Sequence, residues 1–100
     1  MNDLEKEITN LTKDFLKESL QVAVTNVSEY AGAVGKTAAL YYHYVKVEDA
    51  IKADQTLMHL KSQCMSLSTI TAIQEAKKIE KLLWLSLNVI LKVAVKTLLK

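Results

Sequence analysis

The strongest constraint on this chain is what it lacks: across 100 residues there is no proline, and there are two glycines, Gly32 and Gly35. Proline interrupts helices by removing a backbone donor, and glycine makes tight hairpin turns by accepting positive φ. A chain so poor in both can run helices through most of its length but has few ways to reverse a β-hairpin. Half of the residues are apolar, which suits a packed interior and is far from the apolar-poor composition of disordered chains. The length is that of one domain. Residues 1–100 are therefore expected to form a single all-α domain, a helical bundle.

Periodicity and capping predict four helices, at about 3–27, 29–46, 49–65 and 69–99. In the first, Asn2 or Asp3 can cap, acids crowd the first turn, and Leu4, Ile8, Leu11 and Phe15 follow helical spacing, continued with a slight drift by Leu16, Leu20, Ala23 and Val27. Ser28 can cap the second. Within it Ala31, Gly35 and Ala39, in line with Ala23, form a small-residue row that lets another backbone approach closely. The alternative for this region is a two-stranded ribbon, since Val22–Thr25 and Tyr41–Val47 are rich in β-favouring residues. In the third helix Ala50, Ile51, Leu57, Leu60 and Cys64 are expected to line the buried face. Ser66–Thr69 reads as a break, and Thr71-Ala72-Ile73-Gln74 has capping-box spacing.

The last helix carries the most information. Gln74, Lys77, Lys78, Lys81, Asn88, Lys92 and Lys96 make a polar face, opposite Ala72, Ile73, Ala76, Ile79, Leu83, Leu87, Ile90, Ala94 and Leu98. Leu82, Trp84, Leu85, Val89, Val93 and Val95 spill beyond that stripe, more apolar surface than a helix covered on one side needs. Its expected length, about twice that of two neighbours, adds to the case for a covering second copy. Leu83, Trp84, Leu87, Ile90, Ala94 and Leu98 are the candidate interface residues. Lys81, Lys92, Lys96 and Lys100 are the candidate charged contacts to an acidic partner, an anionic membrane surface, or the acidic first helix of this chain or its neighbour. A membrane-spanning reading fails on length, because the apolar run Leu82–Leu91, interrupted only by Ser86 and Asn88, stops at Lys92 and a span needs about 20 residues.

Chemical motifs are weak. Gly32-Ala33-Val34-Gly35-Lys36-Thr37 resembles the end of a phosphate loop, but Tyr30 stands where that loop needs its first glycine. His59 and Cys64 are five apart, off the i, i+4 spacing that would stack them on a helix. Leu40 and Thr56 stand three residues before His43 and His59, so the Glu-x-x-His pairs of bundle metal sites are missing. No cofactor, metal or catalytic residue is expected. The sequons at Asn10 and Asn26 matter only in a secreted protein. A single cysteine and a charged, leaderless start over Met1–Glu7 fit a reducing cytoplasm.

All 13 cationic residues are lysine. Without the forked guanidinium of arginine, nucleic-acid recognition is disfavoured, even though Ala31 and Gly35 can be set at helix-turn-helix positions. Charge is also unevenly spread: residues 1–18 hold five acids against three lysines, whereas residues 81–100 hold four lysines and no acid. Together these features predict a non-enzymatic cytoplasmic helical protein that forms a homo-oligomer and binds a protein partner. The alternative is a peripheral membrane protein anchored by the lysine-faced segment 82–100.

Overall fold

The computed structural model describes residues 3–20, 27–69 and 75–98, and within them the chain is an all-α helical bundle with no strand. Helix α1 spans Asp3–Leu20, α2 Val27–Lys46, α3 Ala50–Cys64 and α4 Ala76–Leu98, with a 3-10 turn at Leu67–Thr69. The chain measures 40 × 22 × 19 Å, and the 23 residues of α4 run about 34 Å of that length at the α-helical rise. Tyr41–Lys46 belong to α2, so the ribbon is not formed there; its other half, Val22–Thr25, lies outside the described residues, as does the capping box at 71–74. Two motifs are settled by the same continuity. Gly32–Thr37 is plain helix rather than a phosphate-cradling loop, and Gly35 makes no turn between two helices. Val27, expected to end the first helix, instead belongs to α2, so Ser28 lies inside that helix rather than capping it.

Helix α2 is the centre of the layer formed by α1, α2 and α3. The α1–α2 approach is close because Gly35 has no side chain: a methyl built there would come 2.8 Å from the Glu5 carbonyl oxygen and closer still to Thr9 Oγ1. This is the close contact expected of the small-residue row, and Ala31 and Ala39 are buried beside it. Buried threonines are satisfied without crossing between helices. Thr12 and Thr56 donate to the carbonyls of Ile8 and Lys52, four residues back, each at 2.7 Å, and Thr37 donates to that of Ala33.

The α2–α3 corner is a Schellman-type stop. Glu48 N–H donates to the Val45 carbonyl and Asp49 N–H to that of Tyr44, with Glu48 at φ 60° in the position usually held by glycine. Asp49 then caps α3, its Oδ1 accepting from the Lys52 amide at 3.1 Å. The buried row of α3 is Ala53, Thr56, Leu60 and Cys64; Ala50 and Ile51, expected inside, are exposed, Ile51 by 74%. Ile51 sits in the first turn, where the corner has turned that edge to solvent.

Helix α4 lies against all three others through Ala76, Ile79, Leu83, Leu87 and Leu91, which meet Ile8, Leu16, Val34, Leu60 and Leu67 in one core. At 15 to 23 residues the helices are closer in length than the sequence suggested. The length argument for a second copy accordingly weakens, and the apolar surplus has to carry it alone.

Candidate interaction surface

The inner and outer faces of α4 share an apolar character but not an environment. Leu83 and Leu87 are 1% and 2% exposed and belong to the chain's own core, out of reach of any partner. Trp84 and Ile90 pack partly against that core, and Ala94 is half-buried. Leu98 closes the helix, and Lys100 lies outside the described residues. What a partner could reach is the outward row: Leu82, Leu85, Val89 and Val93 are exposed by 46%, 49%, 61% and 60%. Their spacing of three, four and four residues puts all four on one stripe.

Lysines run beside that stripe. Lys78, Lys81, Lys92 and Lys96 are all exposed; at about 100° per residue Lys81 and Lys92 lie along one edge of the row, and Lys78 and Lys96 fall between Leu85 and Val89 on the same side. That edge is the one toward α3, where Lys61 Nζ sits 6.0 Å from the centre of the Trp84 ring and Val95 lines a cleft with Ala50, Ala53 and the acids Glu48 and Asp54. The other edge meets α1 and α2: Ala94 and Thr97 line a cleft of about 470 Å³ with Leu4 and Glu7 of α1 and with Ala39, Tyr42, His43 and Lys46 of α2. The acid of α4 itself, Glu80, points inward and is 0% exposed.

Glu80 is the residue that sequence reading missed. Lys77 Nζ, on an 82% exposed side chain, lies 3.6 Å from Glu80 Oε2. The signal was available in the row Ala76, Glu80, Leu83, Leu87, Leu91, which has uniform helical spacing and is otherwise apolar. Glu80 belongs to a polar cluster inside the bundle. Tyr30 donates its hydroxyl to the Gln63 carbonyl at 2.7 Å, and Ser66 Oγ donates to the same oxygen at 2.8 Å. Burial first, then the charge of Glu80, pushes the Cys64 thiol up to about 12. Burial, followed by the charges of Cys64 and Glu80, raises Tyr30 above the ordinary phenol value. A thiol held protonated at neutral pH is a packing group rather than a nucleophile.

The other chemistry-bearing residues are scattered. His59 is exposed while Cys64 is buried, so they form no pair. His43 is exposed, its ring 5.6 Å from that of Tyr44. Among the described residues no three metal-ligating side chains converge, and no helix is long and apolar enough to cross a membrane. The chain matches no family model, and neither a curated protein nor a solved structure is significantly similar to it.

Proposed function

We propose that this chain is a non-catalytic helical interaction protein that associates with itself and with a protein partner through the outward row of α4. The observation that carries this reading is the exposure of Leu82, Leu85, Val89 and Val93 on a helix whose opposite face is already enclosed. Full burial of a Val or Leu side chain is worth about 1.5–3 kcal/mol, so covering four half-exposed ones supplies about 3–6 kcal/mol per copy. A pair of copies covers two such rows, about 6–12 kcal/mol, against an association cost of about 4–15 kcal/mol in lost freedom of motion. Contact through this row is therefore weak and concentration-dependent, a property suited to regulated pairing.

Light scattering after size exclusion, without detergent and over a range of loading concentrations, tests the proposal. Mass should rise toward that of a discrete oligomer, and Leu85→Asp with Val89→Asp should hold the chain monomeric with its far-UV circular dichroism unchanged. A wild-type monomer at every concentration refutes self-association.

The lysine edge supports a second reading, adsorption to an anionic membrane surface. Each lysine near such a surface contributes about 1 kcal/mol, and the apolar row could rest at the headgroup level. That reading requires salt-sensitive binding to anionic vesicles that is lost in Lys92→Glu, Lys96→Glu.

A further inference from the structure

The surface that displays the outward row is charged differently on its two sides. On α1, Glu7, Leu11, Asp14 and Glu18 are exposed and recur at helical spacing on one stripe. That stripe lies on the edge away from Thr9, which meets α2 at Gly35. Glu7 reaches the cleft shared with Ala94, Thr97 and Lys46, so the Glu7 end of the acidic row borders the C-terminal end of α4, and the other acids continue along the same stripe of α1. Across this face the order is an acidic row on α1, the apolar row on α4, and a lysine flank on the far side of α4, with Lys81 and Lys92 at its edge and Lys78 and Lys96 reaching in beside Leu85 and Val89.

Such a face is complementary to itself in one orientation only. A twofold axis along the helix direction exchanges the two edges, so each lysine row lies over the other copy's acidic row. A twofold axis across the helices leaves each edge on its own side and sets lysine against lysine. Like charges facing across an interface are a strong selector of register and orientation. We infer that two copies of this chain pair through α4 with their α4 helices parallel, the lysine row of each meeting Glu7, Asp14 and Glu18 of the other. This rests on the self-association proposed above and adds its orientation and charge pairing.

Single-cysteine reporters read the orientation directly. Leu82→Cys and Val93→Cys are each placed in the chain, with wild type as the control for the buried Cys64, and equilibrated in glutathione buffer. In the parallel pair each variant cross-links with itself, and a mixture adds no mixed product, because the two positions are about 16 Å apart along the helix. Cross-links that form only in the mixture mean antiparallel helices and overturn the inference while leaving self-association standing. Charge reversal gives a second arm. Lys81→Glu, Lys92→Glu, Lys96→Glu and, separately, Glu7→Lys, Asp14→Lys, Glu18→Lys should each weaken self-association by roughly tenfold or more. Mixing the two triple variants should restore it. If instead the lysine-reversed variant pairs more tightly with wild type than wild type does with itself, the lysine rows face each other and the inference fails. A wild-type chain that stays monomeric and binds anionic vesicles overturns both the pairing and the reading beneath it.

Discussion

Glycine to alanine at two positions three residues apart should move stability in opposite directions. Both Gly32 and Gly35 lie inside α2, where alanine is favoured over glycine by about 1 kcal/mol through reduced backbone entropy. At Gly32 nothing lies within 4 Å of the added methyl, so Gly32→Ala should gain most of that amount. At Gly35 the methyl meets the Glu5 carbonyl oxygen at 2.8 Å and the Thr9 side chain. A side chain could rotate away, but a backbone carbonyl moves only with its helix, so α1 must shift. Overpacking of this kind costs about 1–3 kcal/mol. With the backbone involved the upper half of that range applies, and after the propensity gain the net loss should be about 1–2 kcal/mol. Urea unfolding followed by circular dichroism at 222 nm measures both variants, with an unchanged slope confirming that stability alone has moved. The separation should be about 2–3 kcal/mol, or roughly 8–24 °C in Tm for a chain of this size. If both substitutions stabilise, α1 does not approach α2 at Gly35, and the account of the small-residue row is wrong.

Three further outcomes are expected. Glu48→Gly should stabilise the chain by about 0.5–1 kcal/mol in the same urea assay, because φ 60° strains a residue with a side chain and suits glycine; a loss would mean that the Glu48 side chain contributes more than the strain it causes. Stability should fall from about pH 9 toward pH 12, since the fold holds Cys64 and Tyr30 protonated: this stabilisation is complete below the ordinary thiol value of 9.0 and is lost as pH climbs to the folded value of about 12. Tyr30→Phe should flatten that fall while costing about 0.5–1.5 kcal/mol at neutral pH for the lost bond to the Gln63 carbonyl, and an unchanged alkaline slope would remove Tyr30 from the linkage. Leu87→Ala should cost about 2–5 kcal/mol, against under about 1 kcal/mol for Leu85→Ala in the dilute chain, and equal costs in denaturant titrations would contradict the two-faced reading of α4.

The helical class was legible because it follows from missing breakers and from periodicity, both properties of the chain itself. So was the inner face of α4, where Ala76, Ile79, Leu83 and Leu87 are buried as their spacing implies. The departures come where a tertiary contact overrides local pattern. Ile51 looks like a core residue, yet the corner at Glu48 and Asp49 sets the phase of α3, and Ala53 and Thr56 go inside in its place. A left-handed glutamate at that corner has no signature in composition, since glycine is the residue expected there. Glu80 sits among Lys77, Lys78 and Lys81, and such a charge run usually marks a solvated face; its spacing to Leu83 and Leu87 was the contrary signal, and burial followed the spacing.

Glu80 and the outward row describe one property of α4 from opposite sides. An ordinary surface helix of a small bundle keeps its carboxylates wet and its leucines dry. Here one carboxylate is enclosed while two leucines and two valines face water. Enclosing Glu80 costs stability unless its surroundings compensate, and leaving four aliphatic groups exposed forgoes about 3–6 kcal/mol that covering them would supply. Folding stability alone does not select for the exposed row. In the proposed self-association a second copy covers the exposed row, and the charges beside it set the orientation. An α4 selected only for the core of this chain would carry its lysines where Leu85 and Val89 stand. That these positions are aliphatic is the strongest reason, within the chain itself, to regard α4 as both a core helix and a docking helix.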